Sequence, residues 1–385
     1  MMDYKKREEA KMTKVCHLTS AHKPGDVRIF YKECASLAEA GYEVYLVQRG
    51  ESGEELGVRV VGVGMPSGGG RLERMTSFAK KVYEAALAVD ADIYHLHDPE
   101  LLPYGLKLKK RGKKVIFDSH EVYVEQIREK AYLPRWIRGL IAGVYGMYQS
   151  HVFRKIDAVV SPCPHRGQDP YATLCRRSVF ADNYPLLQEM YDKYDPEVVK
   201  LPRSICYVGG LTYERGITHL VKAADKADCT LYLAGPFSPP EYEQEVLSMP
   251  GSEHVCYLGQ LSRQEVREAV QRCQIGMATI LNVGQYNMGN NLPTKTYEYM
   301  SLALPVVLTR SKHPYNEETT NEWGFGVCVD PENTEEMAEV ICDLLEHPEK
   351  MVQMGENGRR AVKEKFNWGT QEKKLFALYE DILRG

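Results

Sequence analysis

One rhythm restricts this chain to few folds. A short apolar strand, a polar loop, a helix and a second strand follow one another near the start, and the same order restarts past the middle. Residues 14–18 are apolar and lead into the polar loop 19–26. Residues 27–40 carry Ile29, Phe30, Leu37 and Ala38 at helical spacing, Gly41 closes the helix, and 42–47 is again a strand. That is the βαβ unit of a parallel sheet. More strands are expected at 58–63, 92–97, 113–118, 158–161 and 178–183, with helices at 72–88 and 135–156. Tyr184-Pro185 breaks the pattern, and a polar, proline-bounded stretch follows, so a boundary is expected around 184–202. The rhythm resumes at 204–208, with strands at 229–233, 255–258, 275–281, 306–308 and 326–329 and helices ending at 227 and at 265–272, 334–346, 348–363 and 370–383.

At 385 residues the chain is long enough for two domains, each with its own core. A hydrophobic content of 43% and a charged content of 26% are those of a globular protein. The net charge of −4 supplies no general field for nucleic acid, so no nucleic-acid partner is expected. No apolar run approaches the roughly 20 residues that span a bilayer. Residues 1–12 read as a charged, poorly ordered leader; residues 1–14 have no apolar core and so do not read as a secretory signal, and a cytoplasmic location is expected. The ten cysteines form no C-x-x-C pair and read as buried reduced thiols. No metal-ligand spacing and no D-x-D motif stands out, so neither a metal nor a cofactor is expected.

Two kinds of position carry candidate chemistry. The first is the carboxyl ends of the expected strands, where doubly wound sheets bind ligands. The Gly25 loop, His97-Asp98-Pro99-Glu100 and Ser119-His120-Glu121 all fall there. The loop at Gly25 lacks G-x-G-x-x-G, so a dinucleotide fingerprint is absent. The second is the stretch 290–307: a polar loop, a helix start, a short amphipathic helix and a buried strand. Pro293 suits the first helical turn, and Asn290 or Asn291 can cap the free amides. Lys295 sits in that first turn, where a positive charge opposes the helix dipole, an unfavourable choice unless an anion is expected there. Glu298 lies one turn on. The stretch therefore reads as a site for a diphosphate and its ribose.

With these residues in place the chain resembles the retaining nucleotide-sugar glycosyltransferases of family 4, which have the GT-B fold. Residues 207–216, Tyr-Val-Gly-Gly-Leu-Thr-Tyr-Glu-Arg-Gly, are similar to that family's G-R-x-x-x-x-K-G phosphate motif. Residues 292–300 with Pro305-Val306-Val307 resemble its donor helix, and Phe366-Asn367-Trp368 with the last helix resembles its return to the first domain. The resemblance implies an α/β fold of two facing Rossmann-like doubly wound domains with an interdomain cleft. It assigns 1–184 to the acceptor, 203–365 to the donor, and 366–385 to a helix crossing back. It implies diphosphate contacts at Gly209, Gly210, Arg215, Thr294 and Lys295, and nucleoside or sugar contacts at Glu298, Asn290 and Asn291. His120 is expected near the donor sugar. Asp98 is expected either to orient or deprotonate an acceptor hydroxyl or to cap the helix at Pro99.

The acceptor side is expected at Gly25, Arg28, Lys32, His97 and Glu121, with Arg28 and Lys32 one turn apart holding an acceptor phosphate or forming a solvated face. Two positions depart from the family pattern: Gly210 stands where a first basic residue is common, and Asn290 where a glutamate is common.

The expected function is transfer of a sugar from a UDP- or GDP-sugar to a glycan or lipid-linked acceptor, by front-face substitution without an enzymic nucleophile. Residues 134–148, apolar with flanking arginines, and the basic run 107–114 together could touch an anionic membrane, while 107–114 alone reads first as a charged connector before a buried strand. A nucleotide-sugar epimerase of the same fold, or a non-catalytic nucleotide-sugar-binding homologue, are the alternatives.

Overall fold

The apolar runs become parallel strands because both faces of each sheet are covered. In the computed structural model, which describes residues 12–68, 70–129, 134–162, 164, 168–283 and 291–385, the chain divides into two units. The first holds Met1–Pro162, Asp169–Ala181 and Gln371–Gly385; the second holds Cys163–Gln168 and Asp182–Thr370.

The first unit carries β1 (Lys14–Leu18), β2 (Glu43–Gln48), β3 (Gly53–Glu55), β4 (Val58–Gly62), β5 (Ile93–Leu96), β6 (Lys114–Asp118), β7 (Ala158–Ser161) and β8 (Ser178–Phe180). They pair in the order β3-β4-β2-β1-β5-β6-β7-β8, all parallel except the β3–β4 hairpin. The chain runs outward one way from β1 and the other way from β5. The loops after these two strands therefore diverge, leaving the crevice in which such sheets bind ligands. Alternation along β1 sends Cys16 and Leu18 into a core with Phe78, Val82, Phe117 and Phe153. It sends His17 to the opposite face, directly across from His95 of β5 in the parallel register.

The second unit carries β9 (Ser204–Val208), β10 (Thr230–Ala234), β11 (Val255–Tyr257), β12 (Ile275–Ala278), β13 (Val306–Thr309) and β14 (Gly326–Val329). The order is β11-β10-β9-β12-β13-β14, wholly parallel, with its own switch point between β9 and β12. Ile205 and Tyr207 enter one core with Leu220, Leu233 and Ile341; Cys206 enters another with Tyr299, Leu308 and Phe366. The last helix, Trp368–Arg384, joins the first unit from Gln371 onward.

Several local expectations need correction. The expected helix 27–40 is a π-helical segment, Val27–Cys34, followed by an α-helical turn, Ala35–Glu39. Helices Tyr123–Glu129, Glu241–Ser248 and Tyr315–Trp323 and the strand β3 were not anticipated. The donor-like helix is Thr294–Ser301, so Pro293 precedes the first helical residue, and no side chain among the described residues caps it. Asn291 is exposed and Asn290 lies outside the described residues. Basic residues of 107–114 are tied to the fold: Lys109 Nζ pairs with Asp157 at 2.6 Å, Lys113 Nζ with Asp90 at 2.7 Å, and Lys107 lies 4.8 Å from the Tyr104 ring centre. All nine cysteines among the described residues are free, and burial pushes the Cys229 thiol up to about 12.

Candidate active site

In the second unit the loop after β9 must turn sharply beside a neighbouring loop. Gly209 and Gly235 both have left-handed φ, +126° and +135°, and a Cβ on Gly235 would lie 2.0 Å from the Gly209 carbonyl oxygen. Only glycine fits there. Gly209 also borders Lys295: a Cβ on it would lie 3.5 Å from Nζ, and one on Gly210 would lie 4.0 Å from Arg215 Nε. Gly216, at φ +74°, passes so close to the end of β12 that a Cβ would lie 2.5 Å from the Thr279 carbonyl oxygen. Gly209, Gly210, Arg215 and Lys295 are thus gathered at the switch point of this sheet.

The helix bearing Lys295 and Glu298 is fixed to the same edge. Tyr299 Oη accepts the Val208 amide at 3.0 Å, and a Cβ on Gly276 would lie 2.4 Å from the Tyr299 ring, so the glycine is what lets the ring in. Lys295 is buried at 6% exposure, and no hydrogen-bond acceptor among the described residues reaches its Nζ. It lies over the Tyr207 ring, with Nζ 3.2 Å from the ring centre. Burial holds its pKa well below the ordinary lysine value; the Arg215 charge adds to this, and Glu298 works the other way. The hydroxyls of Thr212, Thr279 and Thr296 are also buried without a partner. Buried polar atoms are usually satisfied, so this group of orphans on the carboxyl edge fits a polar ligand.

Glu298 is partly buried and accepts from Arg263 Nη1 at 2.7 Å, while Arg263 Nη2 reaches Glu189 at 2.7 Å. Arg263 escaped the sequence reading; the one signal near it is the capping box of Ser262 and Glu265. Thr294 is exposed at the helix start.

In the first unit, Arg28 is neither a solvated residue nor open to an acceptor phosphate. It is buried, donates to both Asp118 oxygens at 2.7 and 3.1 Å, and donates to the Ala181 carbonyl at 2.7 Å. The π-helical segment that carries it is started by Asp26, which accepts the Arg28 and Ile29 amides. Lys32 and Glu33 on the same segment are buried as well. Gly25, before it, has φ +73°.

Asp98 differs from the expectation of a helix cap. Its side chain makes no cap for the turn at Pro99. Oδ2 instead accepts from the Ser20 amide at 2.6 Å, Thr19 Oγ1 at 2.8 Å and the Ala21 amide at 3.1 Å. It ties the loop after β1 to the loop after β5, across the switch point. Its Oδ1 faces His22 Nε2 at 3.6 Å, and His22 Nδ1 meets Asp26 Oδ2 at 2.9 Å.

His120 is brought to His97, with Nε2 and Nδ1 3.2 Å apart, and its ring lies 4.6 Å from that of His22. Burial pushes its pKa down to about 4 despite the nearby Asp118 charge, so the imidazole is neutral at pH 7. Glu121 is exposed, and its carbonyl accepts from Ser119 Oγ at 2.8 Å.

Behind His97 lies a cluster that sequence reasoning missed. Glu33 Oε2 lies 3.8 to 3.9 Å from ring nitrogens of His17, His95 and His97, all at 0% exposure. Burial and the Asp118 charge push the Glu33 carboxyl well up, so it keeps its proton; burial pushes His17 and His95 well down. The contacts are therefore dipolar and not ion pairs. The fold gathers here a donor set that no spacing in the sequence suggested. Its nitrogens engage one another, as His17 Nδ1 and His97 Nε2 do at 2.9 Å.

Two largely parallel sheets, each with a switch point, and a final helix docked on the first unit define a two-unit α/β enzyme of the GT-B type. Residues 25–169 match the model of Glycosyltransferase Family 4, and residues 194–361 match that of Glycosyl transferases group 1. With both models met in order along it, the chain belongs to these glycosyltransferases. It transfers glycosyl groups from nucleotide sugars.

Among solved structures it is similar to a glycosyltransferase from Rickettsia africae, at 17% identity and TM-score 0.73, covering 97% of this chain and 100% of the other. It is similar to sucrose-phosphate synthase from Thermosynechococcus elongatus, at 15% identity and TM-score 0.72, covering 97% and 99%. Anabaena HepE in complex with UDP and glucose gives 15% identity and TM-score 0.69, covering 96% and 100%. No curated protein sequence matches the chain.

Proposed function

We propose that the second unit holds a UDP- or GDP-sugar by its diphosphate, and that the sugar passes with retained configuration to a glycan or lipid-linked acceptor in glycoconjugate or polysaccharide assembly. The observation that carries this is Lys295, a buried amine in the first turn of a helix without an acceptor for its protons. An arriving diphosphate supplies that acceptor, with the free amides of the helix start and Arg215 beside it. HepE, similar in fold, has been solved in complex with UDP and with UDP-glucose.

Glycosyl transfer breaks the bond between the anomeric carbon and the phosphate oxygen, so negative charge grows on the leaving diphosphate. Cations already in place there stabilise the transition state without reorganisation, and one such donor is worth roughly 3–4 kcal/mol. The acceptor oxygen bonds to the anomeric carbon on the face the phosphate leaves. The acceptor proton passes to a phosphate oxygen, so no enzymic nucleophile is needed. Glu298 takes the ribose hydroxyls, and Gly209, Gly210 and Thr294 line the diphosphate. In the first unit, neutral His120 contacts the sugar. Asp98 keeps the loop after β1 in place, with the Gly25 loop and the exposed Glu121 on the acceptor side.

The acceptor reading extends to a membrane surface. No helix among the described residues is long and apolar enough to cross one. The helix Arg135–Phe153, however, exposes Trp136, Leu140, Val144 and Met147 at 75, 63, 54 and 69%. Their spacing puts them on one face, with Arg154 and Lys155 exposed at the far end. Such a face lies well in an anionic headgroup layer, and a cytoplasmic enzyme meeting a lipid-linked acceptor there is the reading it supports. The reading is tested by incubating the protein with UDP-glucose, UDP-N-acetylglucosamine and GDP-mannose, with and without lipid extracts, and following release of the nucleoside diphosphate. Release from one donor, abolished by Lys295→Met, is expected; no release from any donor overturns it.

A further inference from the structure

Arg263 opens the helix Arg263–Arg272, and the capping box of Ser262 and Glu265 fixes that start. A positive charge there opposes the helix dipole, as Lys295 does on Thr294–Ser301, so it needs acidic partners. Arg263 has two, from different parts of the second unit. Nη1 donates to Glu298 Oε1 at 2.7 Å, and Nη2 donates to Glu189 Oε2 at 2.7 Å. One planar fork thus holds two separate carboxylates. The Arg263 side chain is 57% exposed, that of Glu298 17% and that of Glu189 27%. Ion pairs at such exposure add little to folding stability, so the network is better explained by what it does for a ligand.

Glu298 is the side chain that gains most from it. A free glutamate samples many rotamers, and ordering it on binding costs entropy. Arg263 orders Glu298 beforehand by taking Oε1. The Glu298 side chain makes no other hydrogen bond among the described residues, so Oε2 is left to accept from a ligand. Glu189 holds the second prong of the fork and so fixes the direction of the first. Without the guanidinium between them the two carboxylates repel, and Glu298 turns away. Lys295 and Glu298 are three residues apart on one helix, so the carboxylate stands one turn from the amine.

We propose that Arg263 is the positioning residue for the donor ribose: it presents Glu298 Oε2 to the ribose hydroxyls, and Glu189 steadies it from behind. This role rests on the reading of Glu298 as the ribose contact. Arg263 itself touches neither the ribose nor the phosphates, so its effect passes through Glu298.

The experiment is calorimetric titration of UDP and GDP, each beside its 2′,3′-dideoxy analogue, into the full chain at pH 8. The readout is the ratio of the two affinities, from which the general loss of a cation cancels. With the base that binds, wild type is expected to prefer the ribose form by about tenfold or more. Glu298→Ala should abolish this preference. Arg263→Met should cut it to within about threefold, with Arg263→Lys and Glu189→Gln falling between that variant and wild type. Adding Arg263→Met to Glu298→Ala should change the ratio no further. Should Arg263→Met fail to fold, Arg263→Lys and Glu189→Gln carry the same comparison.

If the Arg263 and Glu189 variants keep the full preference that Glu298→Ala loses, the positioning role is overturned and the ribose contact stands. If Arg263→Met loses the preference and Glu298→Ala keeps it, Arg263 touches the ribose itself, which also overturns the role. A wild type that binds neither nucleotide, or binds the ribose and dideoxy forms alike, overturns the ribose contact and the role together.

Discussion

Lys295 holds its ammonium group 3.2 Å from the centre of the Tyr207 ring, on the strand that ends at Gly209. The ring supplies the attraction that a hydrogen-bond acceptor otherwise would. The arrangement keeps a cation in place until an anion arrives, and it gives stability and binding opposite dependences on this residue.

Replacing Lys295 with Met removes a buried amine that has no acceptor and keeps the stem packed on Tyr207. The ligand-free protein is expected to gain about 1–3 kcal/mol, the typical penalty of a buried unsatisfied polar group. Binding of a nucleoside diphosphate is expected to fall roughly 10- to 100-fold, the worth of a hydrogen bond between charged groups. Urea unfolding and calorimetric titration measure the two effects separately.

The same lysine makes stability rise with pH. Its folded pKa lies well below 10.5, so between that value and 10.5 the unfolded chain binds a proton that the folded one does not. Stability of the ligand-free protein therefore increases through this window and levels off near 10.5. Lys295→Met should flatten this rise, measured by urea unfolding at a series of pH values.

Glu298 and Lys295 should be separable by ligand. Glu298→Ala removes the proposed ribose contact and also frees Arg263, its partner at 2.7 Å. It should weaken nucleoside diphosphates by about tenfold or more and leave inorganic pyrophosphate unchanged, whereas Lys295→Met weakens both. Calorimetric titration with each ligand reads the difference.

Much of this architecture is legible along the chain, and the reasons for the gaps are physical. Strands such as β9 and β13 are short apolar runs bounded by glycine or proline, and Lys295 is conspicuous because its charge opposes a helix start. The histidine cluster is hidden because it depends on register: His17 meets His95 only when β1 and β5 pair, and Tyr379 looks like one more residue of an apolar helical face. Arg28 and Glu33 look like surface charges until Asp118, 90 residues beyond Arg28, closes on the guanidinium. The helix Tyr315–Trp323 buries Asn316, Thr319 and Thr320, so no apolar periodicity announces it. β3 is exposed throughout and shows no alternation either.

That buried pairing carries its own expectation. Arg28→Ala leaves Asp118 charged, fully buried and without its cation, and should cost about 3–5 kcal/mol in the unfolding of the first unit. Arg28→Lys cannot reproduce the two-pronged contact and should recover only part of this.

The first unit should also be the acid-sensitive one. Burial holds His17 and His95 well below 6.5 and His120 at about 4. Below pH 6.5 the unfolded chain takes up protons that the folded unit excludes, so stability falls on acidification. Each histidine contributes about 1.4 kcal/mol per pH unit, and the three together about 4, until the folded groups titrate in turn; Glu33 and His22, whose folded pKa values are raised, act the other way and offset part of this. Urea unfolding between pH 7 and 5 should show the first unit losing stability ahead of the second.

The most direct test is calorimetric titration of UDP and of GDP into wild type and Lys295→Met at pH 8, in buffers of differing ionisation enthalpy. A diphosphate that supplies the missing acceptor raises the pKa of Lys295, so wild type should bind one of the two with its proton exchange shifted towards uptake relative to the variant. The variant should bind it at least tenfold more weakly and without that shift. Equal affinity and equal proton exchange in the two proteins would contradict the assignment of the donor diphosphate to Lys295.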